Sequence, residues 1–321
     1  MNETDKERRG GEPLDAVCAG YASVDRICRV SHLPAPGTTA IVLSEGGGLY
    51  RGGCAFNIAV GMAAHGLTVG LVGALGDDAP GRAYLRWLAR NRVDTSALSV
   101  VRGARTPHSH LYYAPDGTGM CYYRPGASAY EGDPASQSAL LARARWLVLG
   151  VAPAGLTARL LDEATRLGLP VAWSAKADPQ AYPPHLVRRL VACCRIIFLN
   201  RNELDFVAGA TGLPGPEAML AAGSQMQVVV LTLGAEGSRV LVRDGSFHVP
   251  PAPVREVVDP TGSGDAYVAG FMSAYICGAP PSEAARIGAA CAARVLGSFG
   301  SQPYRPARTH PRLQPPGAEG G

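Results

Sequence analysis

The sequence predicts an α/β protein whose doubly wound, mostly parallel sheet is flanked by helices and carries a small additional β-sheet. Short apolar runs recur along the chain, and each is followed by a stretch with helical character. Several of these runs are continuously apolar, which is typical of strands buried on both faces of a parallel sheet. Alternation of such strands with helices favours the doubly wound architecture.

The elements of the main sheet can be assigned from these apolar runs. The predicted strands are Ala16–Gly20, Val69–Leu75, Trp146–Gly150, Val171–Ser174, Arg195–Leu199 and Val228–Leu233. The predicted helices lie near residues 55–65, 80–91, 155–167, 185–192 and 215–223. Together they account for a large buried core, which the hydrophobic content of 47% can supply.

A second group of strands does not follow the alternation. Thr38–Ser44 resembles a strand outside any βα unit, and His108–Ala114 and Met120–Arg124 flank a turn-rich segment, which predicts a β-hairpin. Both arms of the hairpin carry adjacent tyrosines. These strands could extend the edge of the main sheet or form a separate sheet. We favour a separate lid built from residues 36–52 and 106–125.

Composition limits the domain organisation and the function classes. We expect one domain over residues 14–302, with poorly ordered tails at 1–13 and at 303–321, where Pro and Gly are frequent. The 30 basic and 26 acidic residues nearly balance, which gives no case for nucleic-acid binding. No segment resembles a signal peptide or a membrane span, so a cytoplasmic protein is expected. The eight cysteines form no C-x-x-C pair and are expected to be reduced.

The segment Asp259–Asp265 (DPTGSGD) carries the most specific chemistry. It precedes an apolar helical run from Ala266 to Cys277. Small residues let a ligand approach the backbone, and the unpaired N–H groups at a helix start, here at Gly262–Gly264, suit a phosphate. Asp265 would lie beside that anion and could accept the proton of an attacking hydroxyl. Alternatively, Asp265 could only cap the helix.

A second glycine-rich segment precedes the helix predicted near residue 55. Arg51, Gly52 and Gly53 would let a substrate lie against the backbone, and Asn57 offers a donor and an acceptor to a hydroxyl. Asn57 could instead cap the helix. Neither glycine cluster matches a P-loop or a dinucleotide fingerprint, which disfavours a Rossmann dehydrogenase.

These segments together resemble the two signatures of the PfkB/ribokinase family of carbohydrate and nucleoside kinases. The first comprises Gly52-Gly53-x-x-x-Asn57 and Gly73-x-x-Gly76-Asp77-Asp78-x-x-Gly81, and the second Asp259-x-Thr-Gly-x-Gly-Asp265. The resemblance covers roughly residues 14 to 305. It implies a ribokinase-like fold with a small β-sheet lid, and a kinase that transfers the γ-phosphoryl group of ATP to a hydroxyl of a small sugar or ribonucleoside.

The resemblance also implies roles for individual residues. Asp265 would be the general base, and Gly262, Ser263 and Gly264 the anion hole. Asp25, Gly52, Gly53, Asn57 and Arg124 would bind the substrate, and Asn200, Glu203, Thr232, Gly234 and Gly237 the nucleotide. Glu203 would act on Mg²⁺ through water, and Asp259 would be a ligand for a monovalent cation such as K⁺. Asp25 could alternatively be a turn residue, and Glu203 a surface charge.

The substrate is less well defined by the residues. Pro260 and the run Arg51–Ala55 resemble nucleoside kinases of the family, whereas Tyr122-Tyr123-Arg124 resembles the lid of members that act on keto-deoxy sugar acids. Lys176 follows Trp173-Ser174-Ala175 where members often have Asp-Pro-Asn or Asp-Pro-Gly. A non-catalytic sugar- or nucleotide-binding regulator is a further alternative, disfavoured by the intact Asp265. The exposed edge of a lid sheet predicts a homodimer formed through the lids.

Overall fold

The computed structural model describes residues 11–303, and these residues form two β-sheets and the helices that pack against the larger one. The predicted tails fall outside this range, except for residues 11–13 and Pro303. Within the described range, no helix is both long enough and apolar enough to cross a membrane.

The strands and helices are numbered here in chain order. The strands are β1 Ala16–Ala19, β2 Ser23–Val30, β3 Val42–Glu45, β4 Tyr50–Gly52, β5 Val69–Gly76, β6 Leu98–Val101, β7 His108–Tyr113, β8 Gly119–Arg124, β9 Leu147–Leu149, β10 Val171–Ser174, β11 Ile196–Leu199, β12 Val228–Thr232, β13 Ser238–Val242 and β14 Gly245–Val249. The α-helices are α1 Cys54–Ala64, α2 Ala79–Arg90, α3 Pro134–Leu141, α4 Ala154–Leu167, α5 Pro184–Cys193, α6 Arg201–Thr211, α7 Pro216–Ala222, α8 Ser263–Ile276 and α9 Pro281–Leu296. Short 3₁₀ helices cover Gly126–Ala129 and Gly234–Glu236.

The main sheet has nine strands in the order β14-β13-β12-β11-β10-β9-β1-β5-β6. Pairing is parallel from β12 to β6, while β13 and β14 add an antiparallel edge. One buried hydrophobic cluster lies on each face of the sheet. The predicted doubly wound fold is therefore confirmed, and the continuous apolar runs are strands covered on both sides.

The second sheet stands apart from the main one, in the order β3-β2-β7-β8, with β4 also paired to β2. β7 and β8 form the predicted hairpin, so the alternative of simple edge strands of the main sheet is wrong. The central strand β2 was not predicted as part of the lid. It carries an aspartate and two arginines among apolar residues. Only three residues separate the end of β1, in the main sheet, from the start of β2, in the second sheet.

Candidate active site

The predicted site residues gather where the parallel strands of the main sheet end. Asn200 and Glu203 follow β11, and Gly234 follows β12, while Lys176, which was not among the predicted residues, follows β10 at the same edge. Asp25 reaches the same edge from the lid strand β2. Ligands of open α/β sheets bind at these carboxyl ends, because the loops there converge.

The start of α8 forms a cradle that can hold an anion. Gly262 adopts a φ of +79°, and a side chain there would overlap Ser301, so glycine is required. The first hydrogen bond of the helix runs from the Ala266 N–H to the Gly262 carbonyl at 2.9 Å. The N–H groups of Gly264 and Asp265 therefore precede the helical ladder, and the space in front of Gly264 is open.

Asp265 is held by a chain of buried side-chain amides. Asn57 Nδ2 donates to Asp265 Oδ2 at 2.7 Å, and Gln302 Nε2 donates to Asn57 Oδ1 at 2.8 Å. Gln302 in turn accepts from Trp87 Nε1 at 2.7 Å and lies 2.6 Å from the Tyr84 hydroxyl. Neither Asp265 nor Asn57 caps its own helix, so the two capping alternatives are not supported. Both ends of the Asn57 amide are engaged, and we interpret Asn57 as a residue that positions Asp265.

Asp25 is buried beside serine hydroxyls, and no ion pair of the described residues includes it. It is 5% exposed, the Ser23 hydroxyl donates to it, and Ser23 and Ser109 share a hydrogen bond of 2.7 Å. Burial raises the pKa of Asp25 to about 6, although its serine hydrogen bonds act in the opposite direction. Asp25 belongs to strand β2, which excludes the alternative of a turn residue.

The two glycines beside Asp25 are required by space. A methyl group at Gly52 would overlap the Asp25 carboxylate, and one at Gly53 would overlap the Tyr21 carbonyl. Gly53 also has a φ of +94°, which other residues rarely adopt. These positions let the lid strand approach the start of α1 closely.

The register of the lid sheet separates the two faces of the hairpin. Asp25 pairs with Ser109, and Ser109 pairs with Tyr123, so these three residues share the face toward Asp265. Arg124 pairs with His108 and belongs to the opposite face. The geometry of this structure therefore does not support the expected contact between Arg124 and the substrate, because neighbouring strand residues alternate between faces.

The Glu203 carboxylate, just after β11, is held in place by hydrogen bonds. Asn200 and Glu203 form a reciprocal capping box at the start of α6, with Asn200 N donating to Glu203 Oε2 at 2.8 Å. Lys176 Nζ donates to Glu203 Oε1 at 3.1 Å. Glu203 is 7% exposed, so the alternative of a surface charge is wrong.

Lys176 and Cys54 bring this cluster into electrostatic contact with Asp265. Burial disfavours the charged form of Lys176, but the carboxylates of Glu203 and Asp265 act in the opposite direction, and the pKa of the ammonium is raised. Burial also raises the pKa of the Cys54 thiol, and the Asp265 carboxylate adds to the effect. The ammonium therefore remains charged, and the thiol remains neutral, near pH 7.

Asp259 connects the segment before α8 to the segment after α9 by hydrogen bonds. Its Oδ1 accepts from the Thr261 N–H at 2.9 Å and from the Thr261 hydroxyl at 2.6 Å, while Oδ2 accepts from the Gly300 N–H at 2.8 Å. These bonds fix the glycine-rich segment before α8. The described residues include no group of three or more His, Cys, Asp or Glu side chains suited to a metal ion.

Three of the predicted nucleotide residues, Thr232, Gly234 and Gly237, border the loop after β12. The Thr232 hydroxyl donates to the Leu199 carbonyl at 3.1 Å, and Gly234 and Gly237 have φ values of +62° and +86°. An ion pair of 2.9 Å joins Arg201 to Glu236 across this loop. A groove of about 540 Å³ lies between residues 252–258 and α9.

Sequence reasoning missed several polar residues of the site. They are Ser23, Ser109, Tyr84, Lys176 and Gln302. Ser23 could have been found, because it lies two residues before Asp25 and so faces the same way on a strand. Gln302 could not, because its contact with Asn57 spans 245 residues of sequence.

Comparison with known proteins identifies the family. The profile described as pfkB family carbohydrate kinase matches residues 14–308, so the chain belongs to this family, as the two signatures predicted. Similar proteins include a nucleoside kinase of Methanothermobacter thermautotrophicus, 29% identical over 293 residues that cover 91% of this chain and 92% of that protein. A cytidine kinase of Thermococcus kodakarensis is 30% identical over 293 residues, or 89% and 98% of the two chains. A 5-dehydro-2-deoxygluconokinase of Geobacillus kaustophilus is 27% identical over 308 residues, or 89% of each chain.

Solved structures confirm the ribokinase-like fold. The nucleoside kinase of Burkholderia thailandensis in complex with inosine has a TM-score of 0.77 and 21% identity, over 90% of this chain and 93% of that one. A ribokinase of Arabidopsis thaliana complexed with ribose and ATP has a TM-score of 0.74 and 24% identity, over 91% and 95%. Both share the arrangement of a large, mostly parallel sheet with a smaller separate sheet. The family match and the kinases among the similar proteins confirm the predicted kinase class.

Proposed function

We propose that this kinase transfers the γ-phosphoryl group of ATP to a hydroxyl of a ribonucleoside. The observation that carries the proposal is the hydrogen bond of 2.7 Å between Asn57 and Asp265. It joins the glycine-rich segment beside Asp25 to the anion cradle of α8. An acceptor hydroxyl and a phosphate would thus meet at one carboxylate.

Asp265 is proposed as the general base. Its carboxylate would accept the proton of the acceptor hydroxyl as that oxygen attacks the γ-phosphorus. In the proposed anion hole of Gly262, Ser263 and Gly264, the N–H groups of Gly264 and Asp265 would bind phosphate oxygens whose charge develops during transfer, since the Ser263 N–H already donates to the Pro260 carbonyl. Asp25 would hold other hydroxyls of the acceptor and so fix which oxygen attacks.

The nucleotide is assigned to the loops after β11 and β12. Thr232, Gly234 and Gly237 border that loop, and the groove between residues 252–258 and α9 offers space for a base. Both oxygens of Glu203 already accept hydrogen bonds from the chain, which fits a Mg²⁺ carried by the nucleotide phosphates and contacting Glu203 through water. Mg²⁺ would neutralise phosphate charge there. Asp259 is proposed as a ligand of K⁺.

A ribonucleoside fits the acceptor side better than a keto-deoxy sugar acid. Tyr21 and Tyr123 stack with ring centroids 5.6 Å apart, and Tyr123, on the face of Asp25, is 37% exposed and offers a surface for a nucleobase. A sugar acid calls for a cation near its carboxylate, but Arg124 belongs to the other face of the lid. The nucleoside kinase and cytidine kinase relatives agree with this choice.

A panel of acceptors tests the proposal. ADP release would be measured with ATP, Mg²⁺ and, in turn, purine and pyrimidine ribonucleosides, ribose and 5-dehydro-2-deoxygluconate. We expect the highest kcat/KM with a ribonucleoside. Preference for the sugar acid would support the second candidate, which the Geobacillus relative favours. Nucleotide or sugar binding without ADP release from any acceptor would support the non-catalytic regulator.

The outer face of the lid is proposed as a homodimer interface. Leu43 on β3 and Tyr122 on β8 are 59% and 61% exposed, and Ile41, directly before β3, is 67% exposed. Exposed apolar side chains on an open sheet need a partner, and a second lid would supply one. Light scattering should detect a dimer for the parent chain and a monomer for Tyr122→Glu, with the exposed Tyr130→Glu as control. We also propose a cytoplasmic location, where ATP is available.

A further inference from the structure

Lys176 interacts with two carboxylates of the site, by a hydrogen bond with Glu203 and electrostatically with Asp265. It lies two residues after the end of β10, and its Nζ is 3.1 Å from Glu203 Oε1. The Asp265 carboxylate also raises its pKa. About 36% of its side chain is exposed, so Lys176 is only partly buried. A ligand that enters between Glu203 and Asp265 would meet this cation.

The choice of lysine at this position is unusual for this chain. The sequence contains 30 basic residues, of which only Lys6 and Lys176 are lysines and 28 are therefore arginines. In every other ion pair recorded among residues 11–303 the cation is an arginine. Lys176 is therefore the one lysine within residues 11–303, and it lies at the candidate active site.

The chemistry of phosphate binding accounts for that choice. Lysine presents a compact point charge on a flexible stem, whereas the planar guanidinium needs more room and a fixed orientation. A compact ammonium can release one hydrogen bond from a carboxylate and give it to a phosphate oxygen. Among the described ion pairs, the pair of Lys176 with Glu203 is the one that brings a cation to Glu203 or Asp265.

A purely structural role for Lys176 is the competing interpretation. The ammonium would then only neutralise Glu203, which already receives the Asn200 N–H in its capping box. That role requires a cation near Glu203 but not one that also interacts with Asp265 and remains partly exposed. A surface arginine would satisfy it, as Arg201 does for Glu236.

We propose that Lys176 is a further catalytic residue that binds the phosphoryl group during its transfer, a proposal that rests on the kinase function above. The bond between the acceptor oxygen and the γ-phosphorus forms as the bond to the β–γ bridging oxygen breaks, and that electron pair leaves with ADP. The hydroxyl proton passes to Asp265. Lys176 keeps its own proton throughout and stabilises the negative charge of the moving group.

The test compares Lys176→Met, which keeps the length but removes the charge, with Lys176→Arg and with the parent. A matched control is Arg166→Met, which removes a surface cation paired with Glu163. Steady-state kinetics, thermal unfolding and binding of ADP and of the non-hydrolysable analogue AMP-PNP would be measured with Mg²⁺ present. Lys176→Met should lower kcat by about 10²–10³-fold, as loss of one preorganised charge-stabilising donor does. Lys176→Arg should recover only part of this loss.

Nucleotide binding separates the two roles. Lys176→Met should weaken AMP-PNP binding by about tenfold and leave ADP binding within about twofold, because only AMP-PNP carries the third phosphoryl group. Equal weakening of both nucleotides with a lower unfolding temperature would assign Lys176 a structural role and overturn the proposal. Unchanged kinetics in Lys176→Met would also overturn it. If the parent phosphorylates no acceptor, the proposed function fails, and the two nucleotide affinities still decide whether Lys176 binds the terminal phosphoryl group.

Discussion

The acceptor half of the site and the phosphate half are built in different ways. In the acceptor half, side chains form hydrogen bonds with one another. Ser23 bonds to Asp25 and to Ser109, and Asn57 bonds to Asp265 and to Gln302. In the phosphate half, the start of α8 offers backbone N–H groups beside an open space at Gly264. Selection among hydroxylated acceptors needs side chains of defined geometry, whereas a phosphate can be held by almost any convergent N–H groups. Substitutions in the two halves should therefore have separable effects.

The largest effect is expected at the junction of the halves. Asp265→Asn keeps the shape and an acceptor for Asn57 but cannot take up a proton. Turnover should fall by about 10²–10⁴-fold, the usual contribution of a general base, while AMP-PNP affinity and the unfolding temperature stay near those of the parent. The control is Asp244→Asn, at the exposed turn between β13 and β14. Turnover of Asp265→Asn within a few-fold of the parent would remove Asp265 from the chemical step.

Asn57→Ala tests whether the amide chain positions the base. The substitution removes a buried partner of Asp265, which costs about 1–3 kcal/mol and corresponds to a loss of about 5- to 150-fold in kcat. Gln302→Ala should act in the same direction with a smaller loss, because it is one step further along the chain. A rise in the acceptor KM at unchanged kcat would instead make Asn57 a direct contact of the substrate.

The pH dependence of acceptor binding should report on Asp25. Its pKa is raised to about 6, so the carboxylate takes up a proton as the pH falls through that value and becomes a poorer acceptor for substrate hydroxyls. The KM for the acceptor should therefore rise below about pH 6, while the KM for ATP changes less. In Asp25→Asn this dependence should be absent. A flat profile in the parent enzyme would show that Asp25 does not titrate in contact with the acceptor.

The same shift has a consequence for stability. A carboxyl group whose pKa is raised by folding binds its proton more tightly in the folded state, so the folded state loses stability as pH rises from 3.8 to about 6 and the group ionises. At neutral pH this amounts to a cost on the order of 3 kcal/mol. Asp25→Asn should accordingly unfold at a higher temperature than the parent at pH 7, and the difference should shrink in acid.

The smallest expected effect concerns the lid. Hydrogen exchange in the β7–β8 hairpin should slow a few-fold when the acceptor nucleoside is added, because a closed lid excludes water from the transferring group. Amides of β12, which is buried in the main sheet, serve as the internal control. Unchanged exchange of the hairpin amides at saturating acceptor would show that the lid does not close when the acceptor binds.

The sequence predicted the two halves unequally. The strands of the main sheet and the cradle at Gly262–Asp265 followed from local patterns, because buried parallel strands and a glycine-rich helix start leave signals within a few residues. The lid strand β2 and the link from Gln302 to Asn57 did not, because they depend on contacts distant in sequence. The position of Arg124 on the outer face needed the register of the hairpin. Features set by a few neighbouring residues could thus be predicted from the sequence, whereas hydrogen-bond networks between distant side chains could not.

The most direct test of the division between the halves is calorimetric titration of Asp25→Asn with each ligand alone. Its affinity for the acceptor nucleoside should fall by about 5- to 150-fold, equivalent to about 1–3 kcal/mol for a lost partner in a hydroxyl-binding pocket. Its affinity for AMP-PNP with Mg²⁺ should match that of the parent. A loss of AMP-PNP binding with unchanged acceptor binding would contradict the account, because it would place the nucleotide, and not the acceptor, against the lid.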